Sequence, residues 1–387
     1  MTAKSVLSTT IRFGLCTAAV LWVLRGISLN DSITLADGTT LNGAVSRADG
    51  RYFVRTGGQT QTVAAGLIAR DAAGTPRIVY GLRTVAQQTD PWAVAAALAI
   101  FLMVPVLQAV RLRAVLRSQA IEGGFAEHLR LAFAGNFMNF AAPFGSTAGD
   151  VYKAWHFARR STAGTEAASL VLVDRAIGLG TLLLTVGLIA LAAGADSRLG
   201  LLRPLLIGLS SAMLAGGAVY LLPMWRQWSF TQKTAARLPK RDQLARIDAA
   251  IRRLLSSPGV LLKAMGITVI LQIFAAASFV CMAAGLGMFL GGASGLEWYA
   301  YFSAGEIVKA IPGPPQGLGT MELAYTYFFA GLGSAAQILT AAIGVRAVNL
   351  LCSLPGALLL FGRATRTIKP SGVQAATRRS VSEPVMT

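Results

Sequence analysis

Two stretches of the chain combine proline, glycine and a carboxylate inside long apolar segments. Residues 143–150 read P-F-G-S-T-A-G-D and residues 315–322 read P-Q-G-L-G-T-M-E, so both fit the pattern Pro-x-Gly-x4-acid. In the second, three prolines and three glycines fall between Pro312 and Gly319, which no continuous helix tolerates. A broken helix next to a carboxylate in apolar surroundings is typical of a transport site in a repeat-built transporter. Two ordinary loops between helices are the alternative interpretation.

Non-helical backbone survives at bilayer depth only where protein or a water-filled cavity satisfies its polar groups. We therefore expect each stretch to interrupt a helix at a functional position. The residues expected to form the two breaks are Pro143, Gly145, Gly149, Pro312, Gly313, Gly317 and Gly319.

The composition predicts a polytopic membrane protein. Hydrophobic residues make up 54% of the 387-residue chain and charged residues only 13%, in runs long enough to cross a bilayer. The net charge of +18 does not indicate nucleic-acid binding, because the basic residues cluster beside the ends of apolar runs. Three cysteines in apolar segments predict no disulfide framework, and two histidines are too few for a metal site. No cofactor is expected.

Six apolar segments are predicted to span the membrane, and two more to be broken helices at residues 126–160 and 297–332. The predicted spans are 8–26, 91–110, 165–194, 204–223, 264–284 and 336–362. The first is interpreted as a retained anchor within residues 1–29. Residues 91–363 form the main transmembrane domain, and residues 364–387 form a short, basic, disordered tail.

Residues 30–90 have a different character. Apolar and polar residues alternate between Asp-Gly, Asn-Gly and Gly-Gly turns, which indicates hairpins. We expect a small β-rich domain of four or five strands. Its acidic and basic residues balance, which fits an extracytoplasmic insert after the first span, and it shows no catalytic constellation.

Basic residues set the topology. Arg111, Arg113 and Arg117 are interpreted as the cytoplasmic exit of the second span. Together with Arg159 and Arg160 after it, they hold both ends of the first broken element to that side. Counting spans onward makes the second broken element enter from the outer side. The fold class is thus all-α and polytopic, an inverted repeat with two re-entrant broken helices, with both termini cytoplasmic.

A basic segment follows the predicted span at 204–223. Within it Leu244, Ile247, Ile251 and Leu254 recur at helical spacing, which predicts an amphipathic helix. Such a helix either binds anionic lipids of the inner leaflet or is solvated in a loop, and both interpretations stay open.

The chain resembles the flippase-like membrane family of the lysylphosphatidylglycerol synthase transmembrane region over about residues 91–363. The resemblance rests on N-F-M-N at 136–139, G-D-V-Y-K at 149–153, V-D-R at 173–175, and P-G and G-L-G-T-M-E at 312–322. Arg346 fits an arginine that the family tends to carry in its last segment. Lys153 stands where arginine is commoner in the family. The β-insert is not part of the family pattern, and no soluble aminoacyl-transferase domain is expected after Arg363.

The resemblance implies a lipid flippase in a bacterial inner membrane, without lipid-modifying activity. Arg175 and Arg346 are candidates for holding an anionic headgroup, because guanidinium stays charged and matches phosphate geometry. Asp150 and Glu322 are expected near them, to neutralise them or to take up a coupling proton. A purely structural set of buried ion pairs is the alternative. The candidate translocation residues are Asn139, Asp150, Lys153, Asp174, Arg175, Glu322 and Arg346.

Other functions remain open on the sequence. The same repeat would serve an ion-coupled transporter of a small solute, and the β-insert could make this an interaction protein with a vestigial core. An enzyme is not expected, since there is no metal-ligand cluster, Ser/His/Asp set or nucleotide fingerprint. The expected partners are a membrane lipid substrate and anionic inner-leaflet lipids, not nucleic acid. The lipid and the oligomeric state are not defined by the sequence.

Overall fold

The computed structural model describes residues 30–48, 51–69, 78–79, 81–121, 123–141, 147–160, 164–193, 197–222, 241–310, 317 and 319–361. The predicted anchor at 8–26, the predicted tail and the tips of both breaks at 142–146 and 311–316 lie outside these residues.

The described part of the β-rich segment contains six short strands rather than four or five. They are β1 Ser32–Thr34, β2 Thr40–Asn42, β3 Ala44–Ala48, β4 Arg51–Thr56, β5 Gln59–Ala64 and β6 Ile78–Val79. They form two antiparallel sheets, in the orders β2-β1-β6 and β3-β4-β5. β6 was missed because it is two residues long and pairs with a strand more than forty residues earlier, at Ile33 and Ile78.

A buried carboxylate joins this segment to the first helix, α1 (Leu82–Gln87). Asp31 is fully buried, and its carboxylate accepts hydrogen bonds from the backbone N–H groups of Val45 at 2.8 Å and Gly81 at 2.7 Å. The Thr84 hydroxyl donates a third at 3.0 Å. Because α1 packs against the last helix of the chain, Asp31 links the strands to the helical part.

Eleven further helices follow in the described residues. They are α2 Pro91–Phe101, α3 Met103–Arg117, α4 Phe125–Ala141, α5 Ala148–Arg160, α6 Gly164–Ala192, α7 Arg203–Leu221, α8 Arg241–Leu255, α9 Pro258–Gly285, α10 Gly295–Ala310, α11 Thr320–Phe328 and α12 Ala335–Phe361. Within the described part of the chain, five helical segments are long and apolar enough to cross a membrane: Pro91–Arg117, Gly164–Ala192, Arg203–Leu221, Pro258–Gly285 and Ala335–Leu359. The predicted spans after the anchor are therefore all found.

One predicted boundary is wrong. The second span was expected to end before Arg111, but α2 is interrupted only at Leu102 and α3 continues to Arg117. The apolar pattern explains this, since Leu112, Val115 and Leu116 are buried beyond the arginine. Arg111 therefore lies inside a long helical segment and does not mark its exit.

Each predicted broken element folds back on itself as a helical hairpin. In the first, α4 and α5 are antiparallel: Glu127, near the start of α4, contacts His156, near the end of α5, at 3.0 Å. In the second, the rings of Tyr301 in α10 and Phe328 in α11 stack with centroids 5.6 Å apart. We call these pairs hairpin 1 (α4–α5) and hairpin 2 (α10–α11).

The two hairpins approach α6 from opposite ends. Hairpin 1 ends only a few residues before α6 begins, whereas Tyr299, near the start of hairpin 2, contacts Thr185 in the last third of α6 at 3.4 Å. The inner ends of both hairpins reach the middle of α6. There Asp150 of α5 contacts Arg175 at 2.5 Å, and Lys309 of α10 lines the same cavity as Arg175.

Aromatic packing holds hairpin 2 in place. The ring of Phe279 in α9 lies 4.9–6.3 Å, centroid to centroid, from the rings of Trp298, Phe302, Tyr325 and Phe329. All five side chains are buried in the largest apolar cluster. Aromatic pairs at these distances each contribute about 0.5–1.5 kcal/mol beyond the area they bury.

The predicted amphipathic helix is α8, and it packs against the helical core. Ala250 and Leu254 are buried, whereas Leu244 is exposed. Arg246 forms an ion pair with Glu166 at the start of α6, at 3.0 Å. The ion pair and the buried residues thus fix the position of α8 on α6.

Candidate functional site

A polar cavity of about 210 Å³ lies where both hairpins meet α3, α6, α9 and α12. Most of its charged side chains are joined in ion pairs. We call it the central cavity.

The most completely satisfied pair is Arg111–Asp174. The Arg111 guanidinium donates from Nε and Nη2 to the two carboxylate oxygens, each at 2.9 Å, and from Nη1 to the Thr268 hydroxyl at 3.0 Å. A bidentate pair with a third hydrogen bond is the arrangement in which a buried ion pair offsets most of its desolvation cost. It joins α3, α6 and α9. Gly178 makes room for the guanidinium, since a Cβ there would lie 2.7 Å from Nη1.

Asp150 at the tip of hairpin 1 has two cationic partners. Its Oδ2 lies 2.5 Å from Arg175 Nη1 and its Oδ1 lies 3.3 Å from Lys153 Nζ. The predicted proximity of Asp150 and Arg175 is confirmed. Asn139 supports this tip, because its side-chain oxygen accepts from the Gly149 N–H at 2.7 Å.

Glu322 and Arg346 form the corresponding pair at the tip of hairpin 2. Arg346 Nη1 lies 2.5 Å from Glu322 Oε1, and the Gly319 N–H donates to Oε2 at 2.8 Å. Arg346 Nη2 also lies 3.4 Å from the Gly317 carbonyl oxygen. The predicted pairing of Glu322 with Arg346 is confirmed. Nearby in α10, Glu306 and Lys309 form an ion pair one turn apart.

The positive φ angles of Gly317 (64°) and Gly319 (88°) confirm two of the predicted break residues. Both lie in the left-handed region, which glycine adopts without strain. Pro143, Gly145, Pro312 and Gly313 lie outside the described residues.

Gly149 was predicted to be a loop residue, but the structure places it in a helix. It is the second residue of α5, and a Cβ there would lie closer than 3.0 Å to the Gly135 carbonyl of α4. Its role is to let the two arms of hairpin 1 approach, which the Pro-x-Gly spacing alone does not distinguish from a turn.

Six of the predicted site residues line the central cavity: Asn139, Asp150, Lys153, Asp174, Arg175 and Arg346. Glu322 is 5% exposed and reaches the cavity through Arg346. Sequence reasoning missed Arg111, because it was read as a membrane boundary. The available signal was the continuation of the apolar pattern on both sides of it.

Uncharged amides complete the wall and were also missed. Gln108, Asn136, Gln272 and Asn349 line the cavity from four different helices. Gln272 donates to the Ser303 hydroxyl at 3.3 Å. Gln108 has a buried side-chain oxygen without a hydrogen-bond partner in the described part of the chain. Their signal was weak, since single amides in apolar helices have no fixed spacing.

An apolar groove of about 780 Å³ runs beside the cavity on three of the same helices, α6, α9 and α10. Its walls include Leu188, Ile273, Val280, Leu296 and Tyr299. On α6, Leu182 lines the cavity and Leu188, less than two turns further on, lines the groove. On α10, Phe302 lines the cavity and Tyr299, one turn earlier, lines the groove. A polar chamber and an apolar groove are thus adjacent.

The fold and the site define a polytopic membrane protein in which two helical hairpins and long apolar helices enclose an ion-paired cavity. The family described as the lysylphosphatidylglycerol synthase TM region matches residues 79–356, more than two thirds of the chain. The chain belongs to this family, and the predicted resemblance is confirmed. A search of curated protein sequences finds no match to the chain.

Proposed function

We propose that this protein moves the polar or anionic headgroup of a membrane lipid across the bilayer, through the central cavity. The observation that carries the proposal is the ion-paired cavity itself, to which both hairpins and the long helices contribute charged groups. Charged side chains among membrane helices are costly, and they mark pathways for polar cargo. Membership of the family supports a flippase-type role.

The hairpins are re-entrant in this proposal, and together they form an inverted repeat. Each tip has the same parts: a break rich in proline and glycine, a carboxylate at the start of the returning arm, and an arginine from a long helix. Their approach from opposite ends of α6 supports opposite membrane faces. Repeat interfaces near the bilayer midplane are where such transporters bind substrate.

Arg175 and Arg346 hold the headgroup in this mechanism. With the site empty, Asp150 and Glu322 neutralise the two arginines. A phosphate oxygen competes for the same guanidinium N–H groups, so the headgroup exchanges one ionic partner for another. The carboxylate released by that exchange either keeps a second partner, as Asp150 does in Lys153, or takes up a proton.

The adjacent groove favours a lipid over a soluble solute. A lipid needs a polar path for its headgroup beside an apolar path for its chains. The groove along α6, α9 and α10 offers the second beside the first. A carrier of soluble solutes has no need for an apolar groove next to its binding site.

The proposed setting is a bacterial inner membrane, with the β-rich segment outside and α8 inside. Exposed Arg246, Arg252 and Arg253 on α8 then face the anionic inner leaflet. Each basic residue near such a surface contributes about 1 kcal/mol to membrane attraction. No catalytic step is part of the proposal.

The test is a leaflet-transfer assay with purified protein in liposomes. A lipid with a fluorophore on its acyl chain or headgroup is quenched by a membrane-impermeant reductant, and further quenching measures transfer from the inner leaflet. We expect faster transfer than in protein-free liposomes, abolished by Arg175→Ala. A protein that leaves every anionic, zwitterionic and cationic lipid at the protein-free rate, with and without a proton gradient, contradicts the proposal.

A further inference from the structure

The charges around the central cavity do not cancel. Its cations are Arg111, Lys153, Arg175, Lys309 and Arg346. Its carboxylates are Asp150, Asp174, Glu306 and Glu322, the last through its pair with Arg346. The breaks at 142–146 and 311–316, which lie outside the described residues, contain no charged residue in the sequence. Among the described residues five cations thus face four carboxylates, an excess of one formal positive charge.

The excess charge has a definite position. Arg111, Lys309 and Arg346 each pair with a carboxylate of their own. In the ion pairs among the described residues, Asp150 instead contacts both Lys153 and Arg175, so one carboxylate is shared between two cations at the tip of hairpin 1. A ligand with a single negative charge neutralises the group formed by Asp150, Lys153 and Arg175. Arg175 and Lys153 together then bind it through charge-assisted hydrogen bonds.

The uncharged part of the wall indicates what accompanies that charge. Gln108, Asn136 and Asn349 supply donors and acceptors without charge. The buried Gln108 side-chain oxygen, which has no partner among the described residues, is satisfied when a ligand hydroxyl donates to it. A buried acceptor left unpaired is costly, so this position selects for a hydrogen-bonding ligand.

From these contacts we infer that the cargo is a lipid with a single phosphodiester charge and an uncharged, hydroxyl-bearing headgroup. The phosphodiester lies against Lys153 and Arg175, and the hydroxyls lie against the amides that include Gln108. This inference rests on the proposed function and narrows it to one chemical class. A headgroup with an added ammonium group is disfavoured, because it brings a positive charge into a site that already has one in excess.

The same headgroup chemistry could come from a water-soluble glycerophosphodiester. The groove beside the cavity favours the lipid, because only a lipid has chains to place there. Competition separates the two sources. Glycerophosphoglycerol at millimolar concentration should not displace bound phosphatidylglycerol, and displacement would assign the site to the soluble ester.

The test measures binding of four lipids to the full chain in detergent by native mass spectrometry, and transfer of the same lipids in liposomes. Phosphatidylglycerol has one charge and two hydroxyls, and phosphatidylethanol has the charge without hydroxyls. Phosphatidylcholine is zwitterionic, and lysylphosphatidylglycerol carries added ammonium groups. We expect phosphatidylglycerol to bind best, about tenfold tighter than phosphatidylcholine or lysylphosphatidylglycerol and several-fold tighter than phosphatidylethanol.

Three variants separate the charge from the hydroxyl contact. Lys153→Met and Gln108→Glu each bring the site to net neutrality, so either should reduce the preference for phosphatidylglycerol over phosphatidylcholine by about tenfold. Gln108→Leu should keep the preference for phosphatidylglycerol over phosphatidylcholine but remove the preference for phosphatidylglycerol over phosphatidylethanol. Arg130→Met is the matched control, because Arg130 is exposed on α4 and does not line the cavity. Thermal unfolding verifies that each variant is folded.

The outcomes distinguish this inference from the proposed function. Transfer and binding of phosphatidylcholine or lysylphosphatidylglycerol as strong as those of phosphatidylglycerol overturn the inference and leave translocation standing. Unchanged selectivity in folded Lys153→Met and Gln108→Glu also overturns it. An absence of transfer for all four lipids, with and without a proton gradient, contradicts the proposed function instead.

Discussion

Four carboxylates around the central cavity differ in how many partners each retains when one cation is removed. Asp174 depends on the bidentate Arg111, whereas Asp150 has both Lys153 and Arg175. Removing one member of a buried pair leaves an uncompensated charge, at a typical cost of about 3–5 kcal/mol. Where the carboxylate has a second cation, its arginine can be removed without leaving an uncompensated buried charge. A loss of transfer in such a variant then reports the function of the arginine and not its contribution to stability.

Arg175→Ala should abolish lipid transfer with little loss of stability, because Lys153 still neutralises Asp150. Arg175→Lys should restore transfer only in part, since a point charge replaces a planar fork. Transfer in liposomes and yield of folded protein are the two measurements. A variant that is missing from the membrane supports the structural interpretation at this position.

Arg346→Ala should lower thermal stability, because the described partners left to Glu322 reduce to the Gly319 N–H. The expected loss is about 3–5 kcal/mol, as for other broken buried pairs. The double variant Arg346→Met with Glu322→Gln should recover stability without recovering transfer. Unfolding curves and transfer rates are compared for all three proteins. A double variant that transfers lipid at the normal rate contradicts a role for this pair.

Close helix contacts at glycine shape hairpin 1. Gly149 lets α5 lie against the Gly135 backbone of α4, and Gly356 does the same where α12 lies against Phe133 of α4. These contacts involve backbone atoms, which cannot rotate away as a side chain can. Close backbone contacts that only glycine permits thus fix hairpin 1 on both sides.

Gly149→Ala should displace α5 and with it Asp150, since the new Cβ would lie closer than 3.0 Å to a backbone oxygen. Overpacking of this kind costs about 1–3 kcal/mol. We expect lower thermal stability and strongly reduced transfer. Gly266→Ala in α9 is the control, because open space surrounds that glycine and alanine favours helix. Equal effects of the two substitutions would contradict the packing account.

The hairpins could be predicted because proline and glycine break a helix through their own local backbone preferences. The spans could be predicted because the hydropathy of about twenty consecutive residues adds up, whatever their neighbours in the fold. The resemblance supplied Arg175 and Arg346 as candidates, and the repeated pattern supplied the two acids that were expected near them. Arg111 and β6 were missed for a common reason. Each depends on a partner far away along the chain, Asp174 for Arg111 and β1 for β6, and no local rule encodes such contacts.

In the proposed function the two hairpins enter from opposite membrane faces. Single cysteines at Gly57, Asp196 and Gly292 should react with an impermeant thiol reagent added to intact cells. Those at Lys240 and Ser371 should react only after the membrane is opened. Cys16, Cys281 and Cys352 are replaced beforehand. Labelling at 240 in intact cells would contradict the topology and the inverted repeat that follows from it.

In the proposed function, lipid headgroups pass through the central cavity. The most direct test places one cysteine in its wall, by Asn136→Cys in a cysteine-free background, and modifies it with a small anionic thiol reagent present on both sides of the liposome. Gln59→Cys, exposed in β5, is the labelling control. We predict that modification at 136 stops transfer of phosphatidylglycerol and that modification at 59 leaves it unchanged. Full transfer by protein labelled at 136 would contradict the claim.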